Sequence, residues 1–270
     1  MITMRDDVYR YNEERWEALV EADALFTRPM LDLDADRARA YLGLERLGLP
    51  GDLAGRRVLC LAGGGGQQSA AFALLGADVT VFDISSGQLG RDRSAAEHHG
   101  VEVRTVQGDM RDLSALGDSS FDLVWHPYSL TFVPDSRIVF REVARVVDAG
   151  GHYYVMCANP FFAGLTHHAW NGEGYTLGHP YTDEAVTSYP DQDWVYDREA
   201  GRSIGEPREY RQTLSRIVNS LTREGFLLTF LSEVRSDRPG LEPGSWEHFT
   251  SVAPPWLEFV WRYRPGVLGG

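Results

Sequence analysis

Four consecutive glycines, Gly63 to Gly66, follow a short apolar run, and a carboxylate, Asp83, stands about 20 residues beyond them. Residues without a Cβ hold positive φ freely and let a ligand lie against the backbone. An acid at that distance, closing the next apolar run, is placed to accept hydrogen bonds from a ribose diol. Together they describe half of a nucleoside site. Asp109 and Met110, in the run Gly108-Asp109-Met110-Arg111-Asp112, supply the other half if Asp109 accepts from an adenine amino group while the Met110 N–H donates to the ring. The same acid equally suits a helix cap. Four side chains are candidates for a general base: His126, Tyr128, His167 and His168. For the last two, as for His179, the alternative is a solvated loop histidine.

Composition removes several other chemistries. A net charge of −13 argues against a nucleic-acid or anionic-membrane partner, since both need a basic footprint. All 26 basic residues are arginine, which excludes a Schiff-base lysine, a Walker lysine and a pyridoxal phosphate anchor. A nicotinamide dehydrogenase calls for GxGxxG, and Gly63, Gly65, Gln68 fails at the third glycine. Gly201-Arg202-Ser203-Ile204-Gly205 satisfies GxSxG literally but lacks a buried strand before it and a helix close after it, so it reads as chance. Two lone cysteines and scattered histidines give no zinc spacing, and no metal is expected. Asp183, Glu184, Asp191 and Asp193 either hold a cation or form a solvated acidic loop. The charged N-terminus has no apolar core and no run reaches membrane length, which points to a cytoplasmic protein. Cys60 and Cys157 fall in expected buried strands, in keeping with a reducing compartment.

The elements that must position these groups are read from periodicity. Val58–Leu61, Val79–Phe82, Val101–Val106, Phe121–Trp125 and His152–Cys157 read as strands, and Phe226–Leu231 and Trp256–Arg262 as two more. Helices are expected over Gln67–Leu75, Ser86–His99, Pro134–Val147 and Arg211–Arg223. Alternation of these elements predicts a doubly wound α/β sheet. Ahead of them, residues 6–23 and Asp34–Gly48 read as helices. In the first, Tyr9, Trp16, Leu19 and Val20 share a face with Tyr11 beside it; the helix either packs on the domain edge or forms a lid with Tyr11, Trp16 and Phe26 toward the ligand. Roughly 50 residues after the fifth strand lack clear periodicity but carry many aromatics, Phe161 and Trp170 among them, too many for disorder. They read as a cap over an acceptor pocket.

The runs VLCLAGGGG, FDIS, VQGDMRDLS, FDLVWHPYSL and REVARVVDAGG resemble the successive motifs of class I S-adenosylmethionine-dependent methyltransferases, over roughly residues 57–157, and LAGGGGQQ is similar to a bacterial small-molecule subgroup. The resemblance implies a Rossmann-like seven-stranded sheet of order 3-2-1-4-5-7-6 with the seventh strand antiparallel. It implies that Ala62, Gly63, Gly64 and Gly66 run past the methionine portion and that Asp83 binds the ribose with Ile84, Ser85 and Gln88 nearby. Asp109 and Met110 would bracket adenine, and the His126 backbone would lie near the methionine amino group. Two departures stand out: Cys60 replaces an acid of the first motif and Ala62 its first glycine.

The expected organisation is an N-terminal helical lid (1–50), a cofactor-binding core (51–160), a substrate cap (161–208) and a C-terminal part of the core sheet (209–270). The acceptor pocket would draw on Tyr11, Trp16, Phe26, Phe161 and Trp170. The expected activity is in-line transfer of a methyl group from S-adenosylmethionine to a small acceptor, aromatic or a natural product of secondary metabolism, by a monomer or homodimer. The alternative is a methyltransferase-like fold that binds the cofactor without transferring methyl, as a cyclase, decarboxylase or regulatory module.

Overall fold

The computed structural model describes residues 6–189, 195 and 204–266. Asp6 caps the first helix, α1 (Asp7–Glu21), through the Tyr9 N–H, and Asp34 caps α2 (Ala35–Leu42), which stops at Gly43 in the left-handed region. The glycine loop then joins β1 (Arg57–Leu61) to α3 (Gln68–Leu74), and β2 (Asp78–Asp83) leads through α4 (Ser86–His99) to β3 (Val103–Gln107). No helix separates β3 from β4 (Phe121–Pro127); a turn carrying buried Leu113 and Leu116 fills that place. α5 (Ser136–Val146) runs straight into a long β5 (Val147–Ala158). The short strands β6 (Val186–Thr187), in the cap, and β7 (Glu209–Tyr210), just after it, pair antiparallel with Thr187 opposite Glu209. α6 (Leu214–Arg223), β8 (Phe226–Val234), α7 (Trp246–Val252) and β9 (Trp256–Tyr263) complete the described chain.

The main sheet has the order β3-β2-β1-β4-β5-β9-β8. The first five strands are parallel and β9 runs antiparallel between β5 and β8, the order and sense expected from the sequence. A parallel sheet must be covered on both faces, and strand parity sorts its side chains accordingly. Leu59, Leu61, Val124, Tyr153 and Val155 face α5 and α6, whereas Val58, Cys60, Val81, Trp125 and Tyr154 face α2, α3 and α4. Cys60 and Cys157 thus lie in different core clusters, both reduced and buried.

Of the expected N-terminal lid, α1 and Phe26 after it lie over the site; α2 places Tyr41 at the cavity, whereas its Ala38 and Leu42, with Leu44 and Leu47 after it, are core residues of the second face. No helix of the described residues is long and apolar enough to cross a membrane.

Candidate active site

The carboxyl ends of β1, β2 and β4 converge on one cavity of about 1160 Å³. Ala62, at its floor, holds φ = 45° and donates its N–H to Phe82 O at 2.7 Å. A Cβ on Gly63 would stand 3.1 Å from the Pro127 ring, and one on Gly64 only 2.7 Å from Gln88 Cβ and 3.0 Å from Asp83 Oδ2. Bare backbone at these two positions is therefore required by their neighbours and leaves a peptide face open to the cavity.

Asp83 is buried, its Oδ2 accepting from Gly64 N at 3.0 Å and its Oδ1 from Ser85 N at 2.9 Å. Burial pushes its pKa up to about 6, against the pull of those two hydrogen bonds. Beside it in the cavity wall, Gln88 Oε1 is buried without a partner, as is Ser129 Oγ past β4. Asp109 and Met110 close the far wall. The Asp109 carboxylate accepts from its neighbour's guanidinium, Arg111, and that same guanidinium makes a two-pronged pair with Asp6 at 2.8 and 2.9 Å. Arg111 holds the Asp6 carboxyl at about 2, well below the usual range. One arginine thereby joins the adenine-side acid to the cap of α1.

Other expected cofactor residues take different roles. Gly66 is packed against α4, where a Cβ would meet Arg91 O at 2.8 Å, and its N–H is given to Asp92 at 3.0 Å, so it supports the loop from beneath. The Ser85 hydroxyl is spent on capping α4 through Gln88 N, and Ile84 alone of that pair lines the cavity. The His126 side chain is fully buried on the core face of the sheet, its Nδ1 2.8 Å from Tyr153 Oη, and burial lowers its pKa to about 3. It does not reach the cavity and cannot serve there as a base. The alternation of side chains along β4, which turns Trp125 and His126 to opposite faces inside the sheet, is the reason.

The acceptor candidates divide in the same way. Trp16 and Phe26 line the cavity, as does Tyr128. Tyr11 points away, its ring under Arg208 at 3.6 Å and its hydroxyl bonded to Glu206 O. Phe161 stacks on Tyr181 at the surface, and Trp170 packs on Tyr175 and His248. His167 and His168 lie against each other, with Trp246 at the edge of His167, outside the cavity lining. Asp183 and Glu184 are both paired with Arg216 at 3.1 Å, which accounts for them without a bound cation; Asp191, Asp193 and the first three residues of the GxSxG match lie outside the described residues. Among the described residues, no group of three or more His, Cys, Asp or Glu is placed to hold a metal ion.

Three features are not legible in the sequence. Asp92, in the middle of α4, accepts from both Gly65 N and Gly66 N at 3.0 Å and from the Ser69 hydroxyl; burial raises its pKa to about 7. The two glutamines after the loop tie down the N-terminal segment: Gln67 donates to Phe26 O and Arg28 O, and Gln68 to Tyr41 Oη. Finally, Glu209 of β7 is buried in the cavity wall and accepts from two phenols, Tyr128 at 3.0 Å and Tyr189 at 2.7 Å.

Residues 59–155 match the methyltransferase domain family. That stretch of the core is similar to a methyltransferase domain, and its sheet has the class I methyltransferase order. An uncharacterised methyltransferase of Bacillus subtilis, YbaJ, is 46% identical over 106 residues, which are 39% of this chain and 42% of that protein. A ubiquinone biosynthesis O-methyltransferase of Cronobacter sakazakii is 35% identical over 109 residues, 40% of this chain and 45% of its own. The chain thus spans less than half the length of these curated relatives. A crystal structure of an S-adenosylmethionine-dependent methyltransferase from Mesorhizobium loti superposes with a TM-score of 0.61 at 23% identity, over 86% of this chain and all of that one.

The cofactor of this family is S-adenosylmethionine, and the domain has a place that fits it. The glycine cradle fills if a Cβ is added, the buried carboxylate of Asp83 retains lone pairs, and Gln88, a lining residue, keeps a buried Oε1 without a donor. Each is a feature that a nucleoside with ribose hydroxyls would complete.

Proposed function

We propose that the protein transfers the methyl group of S-adenosylmethionine to a small, partly apolar acceptor. The observation that carries this reading is that the nucleoside crevice and an aromatic chamber are one continuous space. Gly63, Gly64 and Asp83 line one part of it, and Trp16, Phe132, Phe249 and Trp256 line the other. Wide apolar walls with a few convergent polar groups are the usual form of a small-molecule site.

When bound, the cofactor supplies a methyl group on positively charged sulfur, open to attack in line. The chain's own residues bind, orient and exclude water. Asp83 accepts the ribose hydroxyls, Asp109 and Met110 bracket the adenine, and the Gly63–Gly64 backbone supports the methionine portion. α1 covers the chamber through Asn12, Arg15 and Trp16. Positioning of this kind supplies about 7–11 kcal/mol of a bimolecular barrier. The net charge of −13 favours a neutral or cationic acceptor over nucleic acid.

Incubation with isotopically labelled methyl donor and an extract of the producing cells, followed by mass spectrometry, should yield one labelled small molecule. Absence of label transfer while the donor binds would favour a non-transferring role. Asp83→Ala should abolish donor binding by calorimetry in a protein that still unfolds cooperatively; unchanged affinity would remove the ribose assignment.

A further inference from the structure

Glu209 is a buried carboxylate of the cavity wall that cofactor binding leaves unexplained. It comes from β7, 126 residues after Asp83, yet shares the cavity with the glycine loop. Thr187 opposite it in the β6–β7 ladder fixes its position. Tyr128 and Tyr189 both direct their hydroxyls at the same oxygen, Oε1. Tyr128 is the second residue of interest, because it directly follows Pro127, whose ring abuts Gly63. It also holds φ = 56°, a conformation that a residue with a side chain adopts at a cost of about 1–2 kcal/mol. Strain of that kind persists where the surroundings over-determine it, and such positions concentrate in functional sites.

We propose that Tyr128 and Glu209 form the proton path for a hydroxyl acceptor, with Tyr128 touching the acceptor and Glu209 taking the proton. This rests on the methyltransferase reading above. The acceptor oxygen forms its bond to the methyl carbon as the carbon–sulfur bond breaks and that electron pair stays on sulfur. The acceptor's proton passes to Tyr128 Oη, and the Tyr128 proton passes to Glu209 Oε1. A buried positive charge on sulfur and a buried negative charge on Glu209 disappear together, so the step removes two desolvated charges from a largely apolar chamber. Glu209 retains Tyr189 as a second donor, with Arg15 of α1 and the Thr131 hydroxyl also facing it. Tyr189 steadies the carboxylate and acts as a positioning residue.

Two cofactor analogues test the placement without turnover: S-adenosylhomocysteine, neutral at sulfur, and sinefungin, which carries a protonated amine where the sulfonium methyl would be. Calorimetry on wild type, Glu209→Gln and Tyr128→Phe should show S-adenosylhomocysteine affinity unchanged and sinefungin affinity reduced about tenfold in both variants. In wild type the preference for sinefungin should fall as pH is lowered and Glu209 is protonated, a readout that stands even if a variant fails to fold. In the labelled-methyl assay with cell extract, both variants should lose about 10²–10⁴-fold in rate. An analogue preference identical in all three proteins and independent of pH, or undiminished labelling, overturns the proton path. Failure of wild type to bind S-adenosylhomocysteine would overturn the cofactor reading itself.

Discussion

Two buried carboxylates at the glycine loop set how the protein responds to pH. Asp83 and Asp92 have folded-state values near 6 and 7 against an ordinary value of 3.8, burial being the main cause in each. A raised value means that the folded protein holds more protons than the unfolded chain between about pH 4 and 7, so stability is highest at the acid end of that window and falls as pH rises through it. Thermal scans of the cofactor-free protein should show a melting temperature that declines from pH 5 to 7.5. Ribose hydroxyls donate to the ionised form of Asp83, so donor binding should release a proton and tighten as pH rises through about 6, visible as buffer-dependent heats in calorimetry. Ala62 gives a second prediction. At φ = 45° its methyl is unfavourable, and Ala62→Gly should stabilise the protein by about 0.5–1 kcal/mol in denaturant titration, where Ala→Gly in ordinary backbone costs as much. The glycine preferred by the family and the strain at this alanine have one explanation.

Helix α1 is held over the site by polar contacts at each end. Arg111 binds Asp6 at its start, Asn12 donates to Phe132 O in its middle, and Glu17 accepts from Ser86 Oγ and Gly87 N at the beginning of α4. Gly87 permits that approach, since a Cβ there would meet Glu17 Oε2 at 2.7 Å. Removing Arg111 leaves Asp6 and Asp109 without their shared cation. Arg111→Ala should therefore cost about 1–3 kcal/mol and speed proteolytic cleavage within residues 7–21, a change detectable by limited digestion and mass spectrometry. Equal digestion of the variant and wild type would mean that the helix is held mainly by Leu19 and Trp16. The sequence shows α1, its cap and its aromatic face clearly, because each is local. It does not show that Arg111, 105 positions from Asp6, is the other half of the attachment.

The molecule as a whole carries its own reporter of stability. Cys60 and Cys157 are buried in strands on opposite core faces, and burial raises both thiols well above their ordinary value, Cys157 to about 12. Neither should react with a thiol reagent until the sheet opens. At a donor concentration of 100 times Kd, binding should stabilise the fold by about 2.7 kcal/mol and slow labelling about a hundredfold where opening is in rapid equilibrium. Labelling at one cysteine unaffected by the donor would show that its face opens separately from the cofactor site.

Local pattern determined the strands, the crossover helices, the glycine loop and Asp83, because buried parallel strands and a loop that needs positive φ are written in contiguous residue types. His126 shows the limit of that reading: proximity to the end of β4 suggested a site residue, but the pleat sends its ring into the core toward Tyr153. Phe161 and Trp170 show another, since aromatic composition marks a cap without saying which rings face inward. Asp92 beneath the loop and Glu209 beside Tyr128 are side chains whose meaning is a partner 26 or 81 residues away. Only chain closure brings such pairs together, and a buried charge acquires its chemistry from what the closed chain puts next to it.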